Sequence, residues 1–104
     1  MIRQLDIVET PSTRSRAIAP FVMLIQSHPY DEGLTALVAP LFEMSEAAAV
    51  TRVSLPVEFG GKHYLLTLSE LGAVDRRGLS RRVGSLAARE DDIPRALDRL
   101  FTGF

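Results

Sequence analysis

The feature that most constrains the fold is an alternation of apolar and polar residues on both sides of a glycine pair. The pair is Gly60-Gly61, and glycine readily adopts the left-handed backbone that a tight hairpin turn requires. The alternating apolar residues are Val53, Leu55, Val57 and Phe59 before the turn and Tyr64, Leu66 and Leu68 after it. A two-residue and a four-residue loop both place this whole set on one face, because both lengths are even. Residues 53–69 are therefore predicted to form a β-hairpin with one apolar face.

Three apolar segments upstream of the hairpin are predicted to be further strands, separated by stretches that contain proline or glycine. They span residues 2–9, 20–27 and 34–42. The polar stretch 10–16 is predicted to be a loop, and the alanine-rich stretch 43–50 a helical turn or loop. The chain is thus expected to be rich in β-strands.

The clearest helical pattern lies at the C-terminal end, over residues 91–101. The apolar residues that recur at the spacing of one helix face are Ile93, Ala96, Leu97, Leu100 and Phe101. The opposite, polar face carries Arg95, Asp98, Arg99 and Thr102. Acidic residues at 90–92 suit a helix start, and Gly103 lies where helices commonly stop. We expect a helix packed through its apolar stripe against the strands.

Size and composition set limits on the class of protein. With 104 residues, 46% of them apolar, the chain is expected to form a single domain over residues 1–104. There is no cysteine, which excludes disulfides, thiol nucleophiles and cysteine-ligated metals. A net charge of −1 indicates no general attraction to nucleic acid. The longest apolar run, Ala17–Ile25, is far shorter than the roughly 20 residues of a membrane helix. We expect a cytoplasmic protein without metal or cofactor.

Short segments along nearly the whole chain together carry a family pattern. The C-terminal ones are Leu71-Gly-Ala-Val-Asp75, Val83-Gly-Ser-Leu86, Arg89-Glu-Asp-Asp-Ile93 and Leu100-Phe-Thr-Gly-Phe104. The upstream ones are Phe21-Val-Met-Leu-Ile-Gln-Ser27, Leu37-Val-Ala-Pro-Leu41 and Leu55-Pro-Val-Glu-Phe-Gly60. In this order the set resembles the CcdB toxin family.

The resemblance implies a mainly β fold of the α+β type, an SH3-like β-barrel with a C-terminal α-helix, which the MazF/Kid endoribonuclease toxins share. It also implies a homodimer with its C-termini close together and a toxin with no catalytic centre. Such toxins insert their C-terminal residues between the A subunits of DNA gyrase and trap the enzyme on cleaved DNA. A CcdA-like antitoxin neutralises the dimer and represses the operon with it, so DNA is expected to be contacted only through that complex.

The C-terminal tail departs from the family pattern at one important position. The family pattern ends in Trp-Gly-Ile, whereas this chain ends in Thr102, Gly103 and Phe104. Gly103 is retained, Phe104 keeps an apolar terminus, and Thr102 replaces the indole. An aromatic side chain buries about 150–250 Å² and is a frequent interface hot spot. Gyrase binding is expected to be weaker unless Phe104 takes over from the indole.

The resemblance assigns partner binding to this tail and to Asp98, Glu90 and Tyr30. Each position also has an ordinary structural interpretation. The Phe104 ring can fold back onto the hairpin, and Asp98 can lie on a solvated helix face. Glu90 can stabilise the helix dipole, and Tyr30 can pack within its loop. The sequence leaves both interpretations open.

The remaining titratable groups give weaker signals. His28 and His63 lie far apart without metal-ligand spacing, so structural roles are favoured for both. In the shorter hairpin register His63 lies opposite Glu58. A basic cluster precedes the C-terminal helix and comprises Arg76, Arg77, Arg81 and Arg82. It is either a solvated loop or a surface that attracts an acidic antitoxin tail or nucleic-acid phosphate.

Two other functions remain open from the sequence. One is an endoribonuclease toxin of the MazF/Kid type, because that group is similar over the segment from Val74 to Gly84. Its acid and base would come from Arg14, Arg16 or His28, which are candidates by residue type alone. The other is a homologue that binds an antitoxin but has lost toxicity. The gyrase-binding toxin is the favoured interpretation.

Overall fold

The computed structural model describes residues 3–25, 35–44, 54–79 and 81–102. The strands in these ranges are β1 (Asp6–Glu9), β2 (Phe21–Leu24), β3 (Thr35–Glu43), β4 (Ser54–Phe59), β5 (Lys62–Thr67), β6 (Gly72–Asp75) and β7 (Gly84–Ser85). The helices are α1 (Thr13–Arg16) and α2 (Asp92–Thr102). Short 3₁₀ turns lie at Leu68–Glu70, Arg76–Gly78 and Ala87–Arg89. No described helix is long and apolar enough to cross a membrane.

The predicted hairpin is confirmed, in the shorter of its two possible registers. Gly60 and Gly61 have φ angles of 59° and 78°, the left-handed pair that a type I′ turn requires. This turn pairs Val57 with Tyr64. On the opposite face of the hairpin, Glu58 pairs with His63.

All the strands in the described ranges join one antiparallel sheet, and β3 is its central strand. The order is β4-β5-β3-β2-β1-β7, and β6 also pairs with β3. The C-terminal half of β3 pairs with β5, while its N-terminal half pairs with β6. The 3₁₀ turn Leu68–Glu70 separates β5 from β6, so the chain follows β3 in two steps and the sheet curls into a half-barrel. The mainly β fold with a C-terminal helix is therefore confirmed.

The two faces of the curled sheet bury two apolar clusters. The larger one contains Ile7, Met23, Leu41 and Leu66, each with no exposed surface. The Phe21 ring extends it through edge-to-face contacts with Phe59 and Tyr64, whose own rings are tilted against each other, and the three ring centroids lie 5.1–6.1 Å apart. The smaller cluster consists of Val8, Val22, Leu24, Ala36 and Val38. Helix α2 covers the larger cluster.

Several element predictions need correction. The first strand starts at Asp6 rather than at residue 2, because Leu5 has a φ of 70° that interrupts extended backbone. The stretch predicted as loop 10–16 contains α1, in which the Ser12 side chain accepts a hydrogen bond from the Ser15 N–H. Strands β6 and β7 were not predicted, because they have only four and two residues and show no clear alternation.

Candidate partner-binding surface at the C-terminal helix

The start of α2 is fixed by an arginine that contacts both the helix and the sheet. Arg89 donates from Nε to Asp92 Oδ2 over 2.8 Å and from Nη1 to the Pro56 carbonyl over 2.9 Å. The second contact lies at the outer edge of β4, where Pro56 has no N–H. Further along the helix, Ile93 and Ala96 pack against the core and are 2% and 0% exposed. The helix is thereby held with one face inward and the other toward solvent.

The outward face of α2 is the one that the sequence predicts. Arg95, Asp98, Arg99 and Thr102 line one shallow concavity of about 580 Å³. The Thr102 hydroxyl donates to the Asp98 carbonyl, one helical turn earlier. We call these four residues the polar helix face. It carries one carboxylate and two guanidinium groups, a combination suited to binding a partner that carries charges of both signs.

The predicted apolar stripe of α2 is wrong at Phe101. The stripe places Phe101 on the buried side of α2, yet the residue is 72% exposed. Leu97 packs against the core and Leu100 is half-buried, so burial decreases toward the helix end. Helical periodicity gives the direction of a side chain but not the point at which the supporting sheet ends. The result is an exposed phenyl ring beside Thr102, which the sequence reasoning missed as a binding candidate.

A cleft of about 380 Å³ lies at the other end of α2. Leu5, Ile25 and Leu97 contribute apolar walls, and the exposed residues Glu90 and Asp91 contribute acidic ones. Glu90 does not belong to the helix, because it follows the 3₁₀ turn Ala87–Arg89 and α2 begins at Asp92. Glu90 therefore lines the cleft from the segment just before the helix.

The candidate residues fall into two groups. Asp98, Thr102 and Glu90 are exposed along or just before α2, with Glu90 near the helix start and the other two toward its end. Tyr30, Gly103 and Phe104 lie outside the described residues, as does His28. The partner-binding roles of all six candidates stay predictions. The aromatic residue that the structure does place at the helix end is Phe101.

The basic cluster is engaged in part by contacts within its own chain. Arg77 donates two hydrogen bonds to the Asp75 carboxylate, over 2.9 and 3.2 Å. These side-chain bonds, and then a hydrogen bond from the Arg77 backbone N–H, lower the pKa of Asp75, while the side-chain bonds raise the pKa of Arg77. Arg82 lies 3.6 Å from the buried carboxylate of Asp6, which also accepts from the Arg3 N–H at 2.7 Å. These contacts favour a structural role for Arg77 and Arg82.

Two of the three candidates for ribonuclease chemistry, Arg14 and Arg16, lie among the described residues. Arg16 donates from Nε to the Thr10 carbonyl over 2.9 Å and lies 3.4 Å from Glu9, so it holds the loop before α1. Arg14 is exposed. Within the described ranges no three or more histidine, aspartate or glutamate side chains are grouped to hold a metal ion.

Comparison with solved structures shows the same fold in bacterial toxins. The Mycobacterium tuberculosis toxin MazF-mt6 is 16% identical, with a TM-score of 0.70 over 95% of this chain and 96% of that one. A structure described as an Mtb toxin is 15% identical, with a TM-score of 0.68 over 89% of this chain and 97% of that one. At these identities the likeness shows the fold. No curated protein sequence is significantly similar to the chain.

The family is shown by the sequence match over almost the full length. Residues 4–103 match the family model described as CcdB protein. The matched range includes all the strands and both helices described above. The chain therefore belongs to the CcdB family.

Proposed function

We propose that the protein is the toxin of a toxin–antitoxin system and that it binds the A subunit of DNA gyrase through α2 and the tail after it. Membership of the CcdB family supports a toxin of this kind. The observation that carries the gyrase proposal is the 72% exposed Phe101 ring next to the polar helix face. A large apolar ring in water at the end of a charged helix has the composition of an interface anchor with its rim.

The proposed surface works by contact alone. Phe101 supplies apolar area at the helix end, and Asp98, Arg95 and Arg99 supply charges of both signs around it. The ring compensates in part for the indole that Thr102 replaces in the family pattern. Bound in this way the toxin holds gyrase on cleaved DNA, and no residue of the toxin performs chemistry.

The test is a gyrase cleavage assay with the purified enzyme, plasmid DNA and the full chain. Phe101→Ala is expected to raise the concentration for half-maximal cleavage complex about 30-fold, because an interface hot spot contributes about 2 kcal/mol or more. Ile18→Ala is the matched control, since Ile18 is 70% exposed and lies just after α1. No cleavage complex with the unmodified chain, or equal effects of the two variants, contradicts the proposal.

The homodimer and the antitoxin belong to the same proposal. A two-fold dimer would place two α2 surfaces side by side, so that one toxin engages both A subunits of gyrase. A CcdA-like antitoxin would neutralise the dimer and carry it to their operator. Co-expression with a CcdA-like protein should restore growth that the chain alone arrests. Growth that is never arrested would favour the homologue without toxicity.

A ribonuclease of the MazF type is the second candidate, because the two solved toxins described above share the fold. The placement of Arg16 against backbone carbonyls and Glu9 argues against its acting on a phosphate. Incubation of the purified chain with total RNA separates the two candidates. Intact RNA, together with accumulation of the gyrase–DNA cleavage complex, supports the toxin that acts by contact. Sequence-specific cleavage of the RNA supports the enzyme.

A further inference from the structure

The outer edge of β6 carries backbone groups without a partner among the described residues. The Ile25 N–H bonds to the Leu37 carbonyl at 2.9 Å, and the Met44 N–H bonds to the His63 carbonyl at 3.1 Å. In a strand both backbone groups of a residue point the same way and alternate along the chain. The backbone N–H and carbonyl groups of the odd-numbered residues of β3 therefore point toward β2. Those of the even-numbered residues point toward β5 and β6.

This alternation determines which β6 groups face outward. Leu37 pairs with Ala73, and Ala36 pairs with Val74. Because Ala36 points toward β6, Val74 bonds back to β3, and Ala73 must point its N–H and carbonyl away from the sheet. In the described ranges β6 pairs with β3 alone. The exposed edge therefore offers a donor and an acceptor at Ala73, with the Asp75 N–H two residues on.

An apolar groove of about 260 Å³ lies on the sheet face that adjoins this edge, over β2, β3 and β6. One wall is the segment 10–19, which includes Pro11 and Ala19. The floor is the outer side of the smaller core cluster at Val22 and Val38, and the other wall is β6 from Gly72 to Val74. A Cβ placed on Gly72 would meet nothing within 4 Å, so the face of the sheet is uncovered at this residue, between the groove and the outer edge.

A single carboxylate gives the groove its charge. Glu70 lines it together with the hydroxyl residues Thr10, Ser12 and Ser15. Glu70 is exposed and has no ion pair among the described residues, whereas Asp75 nearby is neutralised by Arg77. A lysine or arginine on an occupant would complement Glu70.

We propose that β6 is a docking edge for an extended segment of another protein. The segment adds as a strand through Ala73 and Asp75, places alternate apolar side chains in the groove, and sets a basic residue against Glu70. Main-chain pairing supplies affinity and the groove supplies selectivity, as in other cases of strand addition. The site lies on the sheet and uses no residue of α2, so it is independent of the function proposed for that helix.

The test measures amide hydrogen exchange of the full chain by NMR, with a capped peptide Thr-Val-Thr-Val-Thr-Lys-Thr as the probe, whose valines and lysine share one face of the strand. In the free protein the amides of Ala73 and Asp75 are expected to exchange fast, while those of Gly72 and Val74 are protected. Saturating peptide is expected to slow exchange at Ala73 and Asp75 at least tenfold, because both amides become hydrogen-bonded.

Two variants separate main-chain pairing from charge. Ala73→Pro removes only the outward N–H, at an edge position where proline is tolerated, and is expected to weaken the peptide about tenfold. Glu70→Lys is expected to weaken it about threefold and to favour instead the peptide with glutamate in place of lysine. If Ala73→Pro fails to fold, the Glu70→Lys variant with its two peptides and the amide exchange of the unmodified chain still test the proposal.

Three results would overturn the proposal. The first is protection of Ala73 and Asp75 in the free protein at low concentration, which means that the chain covers its own edge. The second is protection that rises with protein concentration alone, which assigns the edge to a second copy. The third is fast exchange that the peptide leaves unchanged.

Discussion

At the scale of single residues, the position of Phe101 is the most informative outcome. The sequence shows Phe101 in the same stripe as Ile93 and Ala96, and helical periodicity correctly predicts the burial of those two. The stripe fails at Phe101 because burial also requires a neighbour, and burial along α2 decreases toward its end. The candidate site was therefore predictable as a helix face, while its exposed aromatic residue required the structure.

At Gly84 the absence of a side chain is required by close packing against a neighbouring ring. A Cβ built on Gly84 would overlap the Phe59 ring, coming within 2.8 Å of Cδ1. Gly84→Ala is expected to lower the free energy of unfolding by about 1–3 kcal/mol, because the ring must move within a packed cluster. Urea denaturation measures the change.

Gly72→Ala is the matched control for this substitution. It also lies in a strand, but its added methyl group meets nothing within 4 Å, so a change within about 0.5 kcal/mol is expected. Equal destabilisation by the two substitutions would show that loss of glycine, rather than contact with Phe59, is responsible.

At the scale of elements, the hairpin and the short strands show what sequence patterns can and cannot predict. The glycine pair and the even loop length determined which face of β4 and β5 is apolar before the register was known. Strands β6 and β7 lack that information, because each is too short for an alternation to be recognised. They are strands through their pairing with β3 and β1, a long-range contact that local sequence does not encode.

The contacts in the turn after β6 predict how the stability of that turn depends on pH. The Arg77 side chain and then its backbone N–H hydrogen-bond to Asp75 and hold the pKa of that carboxyl below 3.8, its ordinary value. Because the folded pKa is lowered, the ionised carboxylate favours the folded turn above pH 3.8. That contribution disappears as the pH falls through the folded pKa.

Arg77→Gln is expected to raise the pKa of Asp75 toward 3.8, since the larger, side-chain contribution is lost. Carboxyl carbon NMR shifts followed against pH give the value directly. A pKa that is the same in both proteins would mean that the side-chain pair does not form in solution.

At the scale of the whole molecule, the fold class followed from the sequence more readily than the function. The strands, the hairpin and the C-terminal helix are visible as patterns, and the family match covers residues 4–103. What a curled sheet with one helix binds depends instead on a few side chains at its surface, and on the residues after Thr102. The same fold occurs in the MazF-mt6 toxin at 16% identity, so architecture alone does not select the target.

The most direct test of gyrase recognition is the affinity of the purified A subunit of gyrase for the unmodified chain and for Thr102→Trp, measured by calorimetry. Thr102 is exposed, and its hydroxyl bonds only within the helix among the described residues, so an indole can replace it without disturbing the core. The chain is expected to bind saturably, and the tryptophan variant about 30-fold more tightly, because it regains an aromatic hot spot. Absence of binding by both proteins, or equal affinities, would contradict recognition of gyrase through this end of the helix.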